Sequence, residues 1–238
     1  MEISTEITQV WLPLVVAALV QASFGLGVSM LTLLSGHLLS EPESAKRLHR
    51  LSMAYIFGSL LAVATGLLAI VYLFGQWQFV HYQEFWSILT GLGVGVGLAV
   101  LLFYYRWDKD GTRLWLPRRA AEYLYQRTRA TRRTFEAFIL GVGAIVAELI
   151  FIIAPLLIAG NLAAELAGWR QNLAIGIYLV IAILPLIILF FSNLGRRKIS
   201  VIQRWREYNK KFLQVAAGVL LIVLGFYLLT YKVLGGAI

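Results

Sequence analysis

No cysteine occurs in this 238-residue chain. That absence excludes a disulfide framework, a thiolate metal site and a thiol relay at one stroke. Charge is scarce too: Asp, Glu, Lys and Arg make up 14% of the residues, against roughly 25% in soluble domains. Histidine is limited to His37, His49 and His81, which lie in the first two loops without ligand spacing and read as surface side chains. HExxH, a membrane pair of aspartates and a cysteine nucleophile are all missing, so the pattern gives no support to an enzyme, and no cofactor is expected.

What is abundant is apolar. Hydrophobic residues make up 60% of the chain and the mean hydropathy is +0.77, which marks an all-α integral membrane protein. A span needs about 20 predominantly apolar residues, and six windows qualify: Val10–Ser35, Leu51–Phe74, Trp86–Tyr105, Phe135–Ala159, Leu173–Gly195 and Phe212–Leu234. The longest connection, Arg106 to Thr134, is too short and too charged to bury a core of its own, so residues 1–238 read as one membrane domain. The opening MEISTEITQ has no Lys or Arg, and the run after it is longer than a signal-peptide h-region, so the first span is expected to stay as an anchor.

The net charge of +9 takes its meaning from its placement. Of 21 Lys and Arg residues, three lie in the first loop, nine between Arg106 and Arg133, and seven between Arg196 and Lys211; Arg170 and Lys232 are the exceptions. The positive-inside rule then places loops one, three and five in the cytoplasm and both termini outside, in a multi-pass protein of the cell membrane. The basic loops are expected to meet anionic lipid, not nucleic acid. All seven tryptophans fall at span ends or in loops, where indole favours the membrane interface.

Three spans precede the basic loop and three follow, so span four enters the membrane from the side opposite to span one. That is the layout of a 3+3 inverted repeat, with residues 1–105 as one half, 106–134 as a basic cytoplasmic linker and 135–238 as the other half. PRRAAEYLYQRTRATRR from Pro117 and RRKISVIQRWREYNKK from Arg196 have apolar residues on roughly one helical face. They predict helices on the cytoplasmic interface, or plain extensions of the adjoining spans. Glu41, Pro42 and Glu43 mark a turn after the first span.

The first apolar segment, LVQASFGLGVSMLTLLSGH, holds many hydrogen-bonding groups. At about 100° per residue, Ala18, Gln21, Gly25, Ser29, Thr32 and Gly36 share one narrow face. In hydrocarbon such a stripe must face another helix or water, which makes span one an inner helix. Span two groups Ala54, Gly58, Ala62, Thr65 and Ala69; span four groups Ala137, Gly141, Glu148, Pro155 and Ala159. Gly91, Gly93, Gly95 and Gly97 of span three form two interleaved GxxxG patterns that permit close helix approach.

Glu148 is the most informative single residue. It is the one Asp or Glu deep within a span, and at about 1.5 Å per residue it lies roughly 20 Å from the cytoplasmic end, at a level that Gln21 can share from the other side. A carboxyl there must be protonated, hydrogen-bonded or bound to a cation. Pro155 removes the donor for the Phe151 carbonyl, and Pro185 does the same to Ile181; freed carbonyls in broken helices coordinate ions in many transporters. The candidate substrate- or ion-binding residues are therefore Glu148, Gln21, Ser29, Thr32 and Pro155, with no metal assigned. Ser192 and Asn193 read as a cap at the end of span five.

Two stretches add a family resemblance: KRLHRLSMAYIFGSLLAV entering span two, and NKKFLQVAAGVLLIVLGFYLL, with its G-V-L-L-I-V-L-G pattern, in the closing span. With the six-span plan and basic central loop, the chain resembles the lysine exporter superfamily, which includes amino-acid exporters and the CcdA/DsbD thiol transporters. The resemblance implies a transporter of a small solute. The paired membrane cysteines of the thiol transporters are missing, which excludes thiol-electron transfer, and span one reads LLSGH where a proline-glycine-proline motif is expected. No family binding residue carries over by motif. Two functions stand side by side: a transporter or exporter of a small polar or ionic solute, proton- or cation-coupled through Glu148, and a non-transporting scaffold that assembles with other membrane proteins or with its own copies. A polar cavity reaching Glu148 separates the first from the second, which needs a closed, dry centre.

Overall fold

The computed structural model describes residues 7–24, 26–38, 44–76, 83–103, 105–108, 111–114, 126–128, 130–193 and 199–235. Seven helices make up nearly all of it: α1 (Leu12–Ser23), α2 (Leu26–Leu38), α3 (Ser44–Gln76), α4 (Gln83–Phe103), α5 (Thr134–Ala164), α6 (Trp169–Asn193) and α7 (Ile199–Leu228). A π-helical turn, Ile7–Trp11, precedes α1, and a second, Leu229–Leu234, continues α7. The chain is a multi-pass membrane protein: among the described residues five helices are long and apolar enough to cross a bilayer. A sixth crossing requires that α1 and α2 together count as one broken span.

That break revises the continuous first helix expected from the sequence. Phe24 adopts an extended conformation (φ −69°, ψ 142°), its N–H turns back to the Gln21 carbonyl, and the two half-helices meet at a bend of 43°. Pro13 starts α1, where its missing N–H costs nothing. A break of this kind leaves carbonyls orphaned at the end of α1 and N–H groups orphaned at the start of α2. The face predicted from Ala18 to Gly36 is not one buried stripe: within α2 Thr32 is buried and Ser29 is exposed.

The expected close approaches are made by glycine. α3 and α5 run parallel, and Gly141 lies so near the Tyr55 carbonyl that any side chain there would collide with backbone; Gly58 meets the Phe138 carbonyl in the same way. α4 and α7 run antiparallel. A Cβ on Gly97 would lie 2.9 Å from the Gly218 carbonyl, whereas Gly91 and Gly95 have nothing within 4 Å. One GxxxG face is thus an interface and the other looks outward. At the end of this pair Gln214 Nε2 donates to the Val100 and Leu101 carbonyls, at 2.8 and 2.9 Å.

Across the two halves, α3 packs on α5, α1 lies on α6 and α5, and α4 lies on α7. The turn between α5 and α6 closes on Gly168, whose φ of 62° favours a residue without a side chain. At that end Lys232 Nζ pairs with Glu165 at 2.6 Å and sits 5.0 Å from the Trp86 ring centre, tying the ends of α4, α5 and α7 together. Large apolar side chains such as Leu68, Ile88, Val146, Val180 and Val223 are exposed on the outer faces, as lipid contact requires.

The fold is all-α, as expected; in the basic connection Tyr105–Asp108 and Gly111–Leu114 pair as a short antiparallel hairpin. The separate interfacial helix expected from Arg196 is not formed as such. α7 runs unbroken from Ile199 into the last span, because nothing between Ile199 and Phe212 stops a helix: the stretch has no proline or glycine. Most of the segment from Pro117, and the turn at Glu41 to Glu43, lie outside the described residues.

Candidate functional site

The buried apolar side chains fall into two clusters. One surrounds α1, the outer parts of α3 and α5, and α7; the other gathers α2, the start of α3, the start of α5 and the end of α6. The break at Phe24 lies where the clusters meet, and four buried polar side chains, Gln21, Tyr55, Glu148 and Tyr178, gather around it.

Glu148, near the middle of α5 and 4% exposed, accepts a hydrogen bond through Oε1 from the backbone N–H of Leu26, the first residue of α2. Each partner answers the other's problem. The start of a helix presents N–H groups without acceptors and the positive end of the helix dipole, and a buried carboxyl needs donors. Glu148 thus caps a half-helix from another part of the chain, a long-range form of the usual N-cap.

On the other side of the break, Gln21 Oε1 accepts the hydroxyl of Tyr178, and both side chains are buried. The Tyr55 hydroxyl donates to the Gly27 carbonyl at 2.9 Å, and Ser59 Oγ donates to the carbonyls of Tyr55 (3.1 Å) and Gly141 (3.2 Å). The rings of Phe24 and Phe151 close the site from the first cluster, their centres 6.0 Å apart. Two tyrosines, from α3 and α6, therefore hold α1 and α2 at the break.

Between these groups lies a cavity of about 30 Å³, lined by Gln21, Phe24, Gly27, Glu148, Pro185 and Leu186 among others. A water needs roughly 10–15 Å³ by this measure, whereas pockets for small organic ligands usually span about 300–1,000 Å³. In this conformation the site admits a water or a bare ion and no amino acid. Pro185 has no N–H for the Ile181 carbonyl, and Ala182 and Ile183 also line the space, so α6 brings its weakened turn to the cavity.

The structure brings Gln21 and Glu148 into one cavity and leaves the other candidates outside its lining. Thr32 Oγ1 donates to the Val28 carbonyl within its own helix at 2.5 Å, the usual resort of a threonine in hydrocarbon. Ser29 is on the exposed side of α2. Pro155 is buried seven residues beyond Glu148, and α5 continues through it. The side chains of His37, His81, Ser192 and Asn193 lie outside the described residues, while His49 is exposed with its ring 4.7 Å from that of Phe190. Sequence reasoning missed Tyr55, Tyr178 and the Leu26 N–H. The available signal was that a tyrosine within an apolar span needs a partner for its hydroxyl when it is buried.

A larger hollow of about 320 Å³ lies elsewhere, against the start of α5, lined by Arg127, Thr131, Phe135, Glu136 and Ile139 among others. Glu136 is 12 residues from Glu148 on the same helix, about 18 Å along its axis, so the two spaces are distinct. Compared with known proteins, the chain matches no protein-family model, no curated protein and no solved structure.

Proposed function

We propose that this protein is a secondary transporter of a small polar or ionic solute, with Glu148 as the site where a proton or cation couples to movement. The observation behind the reading is the broken first span: a half-helix N-terminus in the membrane interior, capped by the one deep carboxyl, beside a cavity lined by Gln21 and Pro185. Discontinuous helices whose free ends face ions or solutes near the midplane are the recurring device of secondary transporters.

The chemistry of coupling follows from the cap. An ionised Glu148 is held by the Leu26 N–H and the dipole of α2; a proton or cation on the carboxyl weakens that hold and frees α2 to tilt about Phe24. The cavity of about 30 Å³ is then the occluded form, and a solute requires the halves to part. In our reading the halves are inverted repeats, and the packing of α3 on α5 has its counterpart in α1 on α6. We place the basic loops in the cytoplasm, both termini outside and the protein in the cell membrane, and propose kinship with the lysine exporter superfamily on the sequence stretches quoted above.

A scaffold reading draws on the small size of the cavity. One experiment separates the two: purified protein in proteoliposomes, screened for flux of amino acids and metal cations with and without a proton gradient. Flux that depends on the gradient and disappears in Glu148→Gln supports transport. Absence of flux for every solute, with the protein folded, favours the scaffold.

A further inference from the structure

The small cavity at the break is held from two sides by two tyrosines. Tyr178 donates to Gln21 Oε1 on α1, and Tyr55 donates to the Gly27 carbonyl on α2 at 2.9 Å. Both acceptor residues line the cavity, and each fully buried tyrosine stands behind its own. Tyr178 belongs to the cluster that includes Trp86, Leu166 and Val233, at the end of the bundle where α5 finishes. Tyr55 belongs to the cluster that includes Leu48, Ala137 and Leu189, at the end where α5 begins. Each tyrosine also precedes a cavity-lining residue of its own helix, Ala182 on α6 and Val63 on α3, and those helices start from opposite ends. The two hydroxyls therefore lie on opposite sides of the cavity.

A hydroxyl released inside a membrane needs a new partner at once. Water can supply it only from the side on which the cavity has opened, so opening on one side frees one tyrosine and leaves the other bonded. The two bonds also differ in what they share with Glu148. The carboxyl takes the Leu26 N–H and Tyr55 holds the adjoining Gly27, so both grip the first turn of α2. The bond between Tyr178 and Gln21 ties α6 to α1, on the other side of Phe24.

We propose that Tyr178 and Tyr55 are the two gates of this site. The Tyr178 bond to Gln21 closes it toward the end of the bundle that holds Glu165 and Lys232, and the Tyr55 bond to Gly27 closes it toward the end that holds Arg132 and Arg133. The inference rests on the transporter reading for what passes the gates, and it gives that reading a sidedness: a proton or cation on Glu148 loosens the gate kept by Tyr55 and leaves the other shut.

The test uses Val63→Cys as the single thiol of the full chain, because Val63 lines the cavity and is 1% exposed. The protein is placed in proteoliposomes of known orientation, and an impermeant thiol reagent is added to one face at a time. Ala167→Cys and Arg132→Cys identify the faces. Tyr178→Phe should raise the labelling rate about fivefold from the Ala167 face, the change in open population expected for one lost hydrogen bond, and leave the Arg132 face unchanged. Gln21→Leu, which removes the same bond from the other partner, should reproduce this pattern. Tyr55→Phe should show the reverse. Thr32→Val removes a hydroxyl bonded within its own helix and should change neither face. Tyrosines that serve packing alone would alter labelling from both faces or from neither, and either result would overturn the proposal. Sided labelling in a protein that carries no flux would remove the transporter and keep the gates, whereas flux with unsided labelling would remove the gates alone.

Discussion

Replacing Glu148 by glutamine separates the two roles the geometry gives this residue. As a cap, Glu148 supplies an acceptor for the Leu26 N–H, and the glutamine carbonyl can accept the same bond. A hydrogen bond to a charged group contributes about 1.5–3 kcal/mol and a neutral one about 0.5–1.5 kcal/mol, so the substitution weakens the cap by about 1 kcal/mol. Part of that returns because no charge need be buried. For a chain of this length the expected change in thermal midpoint is about 2–4 °C or less. As a coupling site, Glu148 carries a proton or cation, which an amide cannot do. Gradient-driven flux should therefore vanish while the fold survives. Glu148→Leu supplies the contrast, since it orphans the Leu26 N–H at a cost of about 1–3 kcal/mol and should lower stability as well as flux. The assay pairs proteoliposome flux at two or more pH values with thermal unfolding in detergent. Folded Glu148→Gln protein with wild-type, pH-dependent flux would refute the reasoning and return Glu148 to a structural role.

Gln21→Leu leaves the buried Tyr178 hydroxyl without its acceptor but removes no charge, so it should reduce flux less than Glu148→Gln; an equal or greater loss in the same assay would contradict the division of roles. Gly141→Ala drives a methyl into the Tyr55 carbonyl and should cost about 1–3 kcal/mol or more. Gly95→Ala meets nothing within 4 Å and should be neutral or stabilising by up to about 1 kcal/mol; denaturation in mixed micelles compares them, and equal effects would argue against the α3–α5 packing. Because the chain has no native cysteine, Arg132→Cys and Ala167→Cys, at opposite ends of α5, can be labelled singly with an impermeant thiol reagent. Labelling from opposite faces, with Arg132→Cys on the cytoplasmic one, is expected, and labelling of both from one face would overturn the six-crossing topology.

The long apolar helices were legible because membrane hydropathy is a property of composition over about 20 residues, insensitive to detail. The meeting of Gln21 and Glu148 was legible from depth alone, as each lies a similar number of residues from its own side. The break at Phe24 was not. Ser23-Phe24-Gly25 is a weak local signal, and its cause lies 122 residues away, in the acceptor that Glu148 offers to Leu26. Sequence separation hid Tyr178 too: it lies 157 residues from Gln21 and matters only because α6 lies along α1. Of the two residues of α2 placed on the polar face, Thr32 is buried and Ser29 is exposed, a difference within one helix that the break does not account for.

The prolines show why the break sits where it does. Pro155 and Pro185 both lie inside helices that continue past them, whereas the first span opens at a site with no proline. A proline removes one donor, and the surrounding helix survives because in hydrocarbon every further N–H or C=O released is expensive. Opening a whole turn releases several groups at once and becomes tolerable only where acceptors and donors from other helices await them. Glu148 takes the Leu26 N–H, Tyr55 gives its hydroxyl to the Gly27 carbonyl, and Tyr178 and Gln21 satisfy each other beside the gap. A helix in a membrane therefore breaks where its partners are, and a partner that can change its charge, as Glu148 alone among these can do readily, makes the break responsive.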